Sequence, residues 1–145
     1  GDLDGPVAQV GPTAVCIPPT ANPGMVSKII NGDLGGFISR GRVTLIIPPK
    51  TFAGRKIITL QIPLSRDVEC RILPEYMKLA RPVTLQMNLN GLNLDSPAMS
   101  IFRLHYTQNF WIDQNALYNS TTRIAQVEVA QFGSFRAGPG APAFD

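Results

Sequence analysis

The sequence predicts an all-β fold, an antiparallel β-sandwich entered through an extended proline-rich arm. Three observations carry this. Apolar residues recur with a period of two in run after run. Breakers separate those runs at short intervals: Asn31-Gly32, Gly35-Gly36, Pro48-Pro49, Pro74, Asn90-Gly91 and Pro97. The chain has 145 residues, enough for one domain, and many short alternating runs within one domain are the pattern of a sandwich or barrel.

Residues 1–24 hold five of the thirteen prolines and little periodicity, so they read as an arm or linker. The sandwich follows over 25–138, and 139–145, rich in Gly, Pro and Ala, reads as a flexible tail. Within the domain, 42–48 sets Val43, Leu45 and Ile47 on one face. Residues 55–64 are partly apolar on both faces, which suits a central strand. The stretch 74–80 suggests a helical turn. The alternation is cleanest over 81–91, where Val83, Leu85, Met87 and Leu89 oppose Thr84, Gln86, Asn88 and Asn90. Residues 100–107 predict Phe102, Leu104 and Tyr106 inward, with Arg103 and His105 outward. Residues 124–132 set Ala125, Val127 and Val129 against Gln126, Glu128 and Ala130, and "VEVAQFGSFRAG" (127–138) reads as one last strand running into the tail.

Composition narrows the function classes. The apolar share is 44%, and no apolar run approaches the roughly 20 residues that span a bilayer as a helix. The net charge of +3 is a mild excess without the dense basic stripe or module of a nucleic-acid binder. One asymmetry stands out: between Asp33 and Asp67 there is no acidic residue and there are six basic ones, Arg40, Arg42, Lys50, Arg55, Lys56 and Arg66. If 42–48 and 55–64 pair as a hairpin, Arg40 and Arg42 lie near Lys56 and Arg66 at one end or the other. Arg40, Arg42, Arg55 and Lys56 then form a candidate contact surface for an acidic partner, against the plainer reading of solvated strand ends.

Little resembles an active site. His105 is the only histidine, on the polar side of its run beside Arg103, where a buried Ser-His-Asp arrangement does not fit. The ten acidic residues are scattered, no metal-ligand spacing occurs, and Gly35-Gly36 is followed by neither GK[ST] nor a helix, so no cofactor or metal is expected. Such glycines serve an unusual backbone angle or close packing. Cys16 and Cys70 fit no zinc or redox motif; they form a disulfide or remain two half-buried thiols. Trp111, with Tyr106 and Tyr118, could make a sugar-stacking platform, although a single tryptophan in a small sandwich more often plugs the gap between sheets. Asn119-Ser120-Thr121 matches the N-glycosylation acceptor pattern.

The order of features resembles a ZU-five domain, the module shared by zonula-occludens proteins, uncoordinated-five receptors and ankyrins. The residues that carry the likeness are Gly35-Gly36, the run Val43 to Ile47 ending in Pro48-Pro49, the apolar run Ile57 to Ile62, the proline-led run Pro82 to Leu89, and "SIFRLHYTQNFWID…RIAQVEVAQFGSF". The resemblance covers about residues 26–136. It implies a β-sandwich scaffold or protein-interaction module, in bacterial relatives part of an exported or surface-attached protein. Some family members cleave themselves at a His-Phe-Ser triplet. Here the matching positions are Gln131, Phe132 and Gly133, so base and nucleophile are both lost, and Ser134 falls one residue late.

The expectation is therefore a non-enzymatic structural or protein-interaction module that does not cleave itself. Its partner is a protein or a neighbouring domain, and its setting an exported or cell-surface chain, with a cytoplasmic one as the alternative. The alternative function is carbohydrate binding through Trp111, Tyr106 and Tyr118. A hydrolase would need acidic residues gathered around His105.

Overall fold

The computed structural model describes residues 23–94, 98–105 and 107–140. Among these, eleven strands follow one another: β1 (Gly24–Asn31), β2 (Gly36–Arg40), β3 (Val43–Ile47), β4 (Arg55–Ile62), β5 (Glu69–Leu73), β6 (Lys78–Asn88), β7 (Met99–Leu104), β8 (Trp111–Asp113), β9 (Leu117–Asn119), β10 (Ile124–Gln131) and β11 (Ser134–Pro139). They make two antiparallel sheets, one ordered β1-β4-β5-β11-β7-β8 and the other β2-β3-β6-β10-β9. The protein is an all-β sandwich.

Alternation explains the core. Val43, Leu45 and Ile47 of β3, Val83, Leu85 and Met87 of β6, and Ala125, Val127 and Val129 of β10 are buried, as the period of two predicts. They face Ile58, Leu60 and Ile62 of β4, Cys70 and Ile72 of β5, and Phe135 and Ala137 of β11 in one apolar cluster. Fully burying one such aliphatic side chain is worth about 1.5–3 kcal/mol.

Four expectations need correction. First, 42–48 and 55–64 do not pair. β3 bonds β2 and β6, while β4 bonds β1 and β5 in the other sheet. The loop between them is drawn under the β1–β2 turn: the buried Thr51 donates its amide to Gly32 O at 3.0 Å, and Gly32 donates to Gly54 O at 2.8 Å. Second, 74–80 holds no helical turn. A tight turn with Tyr76 at φ 60° leads into β6, and Ala80 donates to Thr51 O at 2.8 Å from extended backbone.

Third, β7 faces the other way. Met99 and Ile101 join the inter-sheet core, and Phe102 is buried outside it. Register agrees, since Ile101 pairs with the core residue Ala137 and Phe102 with Arg136. Apolar residues occupy both faces of this strand, so alternation alone does not orient it. Fourth, 127–138 is two strands. β10 ends at Gln131, the chain turns through the buried Phe132 and Gly133, and β11 begins at Ser134 in the opposite sheet. Gly133 O accepts from Ile72 N at 2.8 Å and Phe132 O from Tyr76 N at 3.3 Å, so the corner's carbonyls are bonded. β11 also runs through Pro139, the first residue of the expected tail.

Two cations close the edge where the sheets meet at β1 and β2. Lys28 Nζ donates to Phe37 O at 2.8 Å, and Arg40 Nη2 donates to Pro23 O at 2.8 Å, with Nη1 3.4 Å from Met25 O. Carbonyls that could pair with a foreign strand are thereby occupied.

Gly35 holds the β1–β2 turn at φ 77°, and a Cβ there would stand 2.4 Å from Ile47 O. Gly54 is also left-handed, at φ 72°, with nothing within 4 Å of a Cβ. Gly35→Ala is expected to cost about 2–5 kcal/mol, conformational strain plus overpacking, and Gly54→Ala only the strain of about 1–2 kcal/mol. Denaturant unfolding of the two variants measures the difference. Equal losses would mean that the approach of β3 to the turn is looser than described.

Candidate functional site

The four predicted basic residues do not gather. Arg40 is spent on the Pro23 and Met25 carbonyls, near where β1 begins opposite Ile62. Arg42 ties the β2–β3 turn to the end of β6, its Nη1 donating to Asn88 O at 3.0 Å and to Asn90 O at 2.7 Å. Arg55 and Lys56 are exposed at the start of β4, opposite Asn31 and Ile30. The length of β1 separates the pairs, roughly 24 Å at about 3.4 Å per residue. A β3–β4 hairpin would not have joined them either, since its loop at 49–54 sets Arg55 and Lys56 beside the end of β3 and leaves Arg40 and Arg42 at the other end.

The aromatic platform is divided too. Trp111 lies half-buried on β8, the edge of the six-stranded sheet, and Tyr118 half-buried on β9, the edge of the five-stranded one. Tyr106 lies outside the described residues. Trp111 is paired with Leu104, which puts it on the outward face with Phe102 and Arg136. The Arg136 guanidinium sits over the indole, 4.6 Å from the ring centroid, and its Nη1 is 3.5 Å from Asp67 Oδ2. The indole is neither a core plug nor a bare platform: a cation covers one face.

Around that cation lies an acidic group that sequence reasoning missed. Glu69 is opposite Arg136 across β5 and β11, and Ser65 Oγ lies 3.5 Å from its Oε1. Burial pushes the Glu69 carboxyl above its usual range, with repulsion from Asp67 adding and the attraction of Arg136 opposing. Asp67, Glu69 and Arg136 are distant in sequence or on alternating positions, so the only signal was the β5–β11 pairing, which the single-strand reading of 127–138 hid. Next to it a cleft of about 400 Å³ is lined by Met25, Gln61, Glu69, Arg71 and Ser134. Arg71 Nε is 2.6 Å from Glu75 Oε2, on an exposed side.

The remaining candidates serve turns and core. His105 Nδ1 accepts from the amides of Thr107 and Gln108, each at 3.2 Å, and its ring lies 4.9 Å from that of Phe110. Cys70 is buried and, among the described residues, a free thiol whose ionisation burial pushes far up, so it acts as a core residue. Cys16, and with it the pairing of the two cysteines, lies outside the described residues. Asn119 Oδ1 accepts from Thr121 N at 2.9 Å, which places the acceptor pattern in the β9–β10 turn. Among the described residues no three His, Cys, Asp or Glu side chains gather as a metal site, and no helix is long and apolar enough to cross a membrane.

At the Gln131–Ser134 corner, Phe132 is a core anchor and Gly133 carries no nucleophile. Ser134 is the hydroxyl of the stretch, opposite Arg71 in the β5–β11 ladder. No protein-family model matches the chain, and no curated protein matches it in sequence.

The Glu69 environment has a pH signature. Its folded-state value lies above its unfolded one, so ionisation costs more in the folded chain. Below the ordinary 4.5 the carboxyl is neutral in both states and the penalty is absent; it builds as pH rises through 4.5 and the raised folded value. Glu69→Gln is therefore expected to raise the unfolding midpoint at neutral pH and to match the parent below pH 4.5. Destabilisation at neutral pH would mean that the pairing with Arg136 outweighs burial.

Proposed function

We propose that this chain is a non-enzymatic β-sandwich module, structural or protein-binding, that does not cleave itself. The observation that supports it most is the use made of the chemically capable side chains. His105 caps a turn, Cys70 fills the core, Arg42 and Arg40 hold backbone carbonyls, and Ser134 stands in a strand ladder. A nucleophile needs a base within hydrogen-bond reach, and the one histidine of the chain already holds two backbone amides.

The partner in this reading is another protein or a neighbouring domain, and the setting an exported or cell-surface chain, as the resemblance to ZU-five domains implies. The cleft beside Met25, Gln61, Glu69, Arg71 and Ser134 offers a polar-rimmed recess for a side chain of such a neighbour.

Intact denaturing mass of the purified chain, before and after prolonged incubation, tests the reading. One full-length species is expected for both the parent and Ser134→Ala. Fragments meeting at residues 132–134, absent in Ser134→Ala, would make the corner a reactive site.

A further inference from the structure

One end of the sandwich combines exposed apolar side chains with an excess of cations. The β1–β2 turn carries Leu34, 74% exposed, at its tip. On the outward face of one sheet Ile29 and Ile57 are cross-strand neighbours, 65% and 62% exposed. On the outward face of the other, Phe37 and Ile46 are neighbours, 56% and 39% exposed. Solvent-facing strand positions are ordinarily polar, and these apolar ones converge on a single end.

The cations converge there as well. Lys50 is beside the turn, its amide 3.3 Å from Asp33 O. Arg55 and Lys56 are opposite Asn31 and Ile30. Arg81 Nη1 donates to Pro49 O at 3.0 Å, and Lys28 Nζ stands 4.4 Å from the Phe37 ring centroid. Against them the turn contributes Asp33, and on the outer face of the five-stranded sheet Glu128 stands two strands from Ile46, across Thr84.

Shape selects the partner. The two apolar pairs lie on opposite outer faces of a sandwich whose sheets are about 10 Å apart, with Leu34 between them at the tip. A flat, rigid protein face can touch one pair at a time. A deformable lipid interface lets the tip sink about 5–10 Å and wet both, while the lysine and arginine stems lie along it and their charges meet headgroups.

We propose that this end of the sandwich is a docking tip for an anionic lipid surface, in which Leu34, Ile29, Ile57, Phe37 and Ile46 enter the interface and Lys50, Arg55 and Lys56 bind the headgroups. The contact is peripheral, and it is independent of whether the corner at Gln131–Ser134 is inert. The modest charge count makes it salt-sensitive.

The test is co-sedimentation of the full chain with phosphatidylcholine vesicles, with and without phosphatidylserine, at low and high salt. Binding is expected only to the anionic vesicles, and it should fade as salt rises. Lys50→Ala, Arg55→Ala and Lys56→Ala should each weaken it about fivefold. Leu34→Ser should weaken it while far-UV circular dichroism stays unchanged. Leu34→Trp in a Trp111→Phe background should shift its emission to the blue when anionic vesicles are added. No binding at low salt, or binding indifferent to the charge variants and to Leu34→Ser, would overturn the proposal. So would a concentration-dependent dimer, abolished by Ile57→Lys, in a chain that ignores vesicles: the patch would then belong to a second copy.

Discussion

The structure depends most on the shortest of the chain's passages from one sheet to the other, the two residues Phe132 and Gly133. β10 is hydrogen-bonded to β6 at the centre of the five-stranded sheet, and β11 to both β5 and β7 inside the six-stranded one. Two interior strands of opposite sheets are thus consecutive in sequence. The corner between them must be buried, must satisfy its backbone and must reverse which layer the side chains serve. Phe132 meets the first demand by joining the core, and the carbonyls of Phe132 and Gly133 meet the second through Tyr76 and Ile72. β5 has its place between β4 and β11 because the corner delivers β11 there.

From that passage the outward arrangement follows. β11 brings Arg136 opposite Glu69 on one side and Phe102 on the other, and this places the guanidinium over Trp111 and beside Asp67. An aromatic ring, a cation and two carboxyls from three separate stretches of chain thereby share one outer face. The opposite end of the sandwich is built differently. There the β1–β2 turn and the β3–β4 loop interlock through Gly32, Thr51 and Gly54, and the side chains left outside are mostly apolar or basic, with Asp33 among them. One end of the molecule therefore gathers charges of both signs, and the other presents mostly cations to its surroundings.

The fold class was legible because a two-residue period needs only the order of apolar and polar residues along one strand. Val83, Leu85 and Met87 show it at its clearest, and all three are buried. Sheet membership was not legible, since alternation tells which side chains face the core and not which sheet supplies the backbone. That is why 42–48 and 55–64 read as a hairpin, and why Arg40, Arg42, Arg55 and Lys56 read as one basic surface. β7 was misread for a related reason: Phe102 is apolar on a face that is outward yet covered, and Ser100, the polar residue on that face, is buried too. The Asp67–Glu69–Arg136–Trp111 group was invisible because nothing local links those residues. The apolar tip was hidden in plain view, because Ile29, Phe37 and Ile57 lie in runs whose other residues are core, and a run of isoleucines carries no label for its exposed half.

The most direct measurement is the pattern of cross-strand nuclear Overhauser effects from Phe135 in the labelled chain. The expected result is backbone contacts from Phe135 to both Cys70 and Arg103, with Val129 in contact with Val83 across the other sheet. The contradicting result is a ladder that continues from Val129 through Phe135 along the same neighbours. The last stretch would then be one strand of one sheet, with no passage between the layers at Phe132 and Gly133 and no place for Arg136 over Trp111.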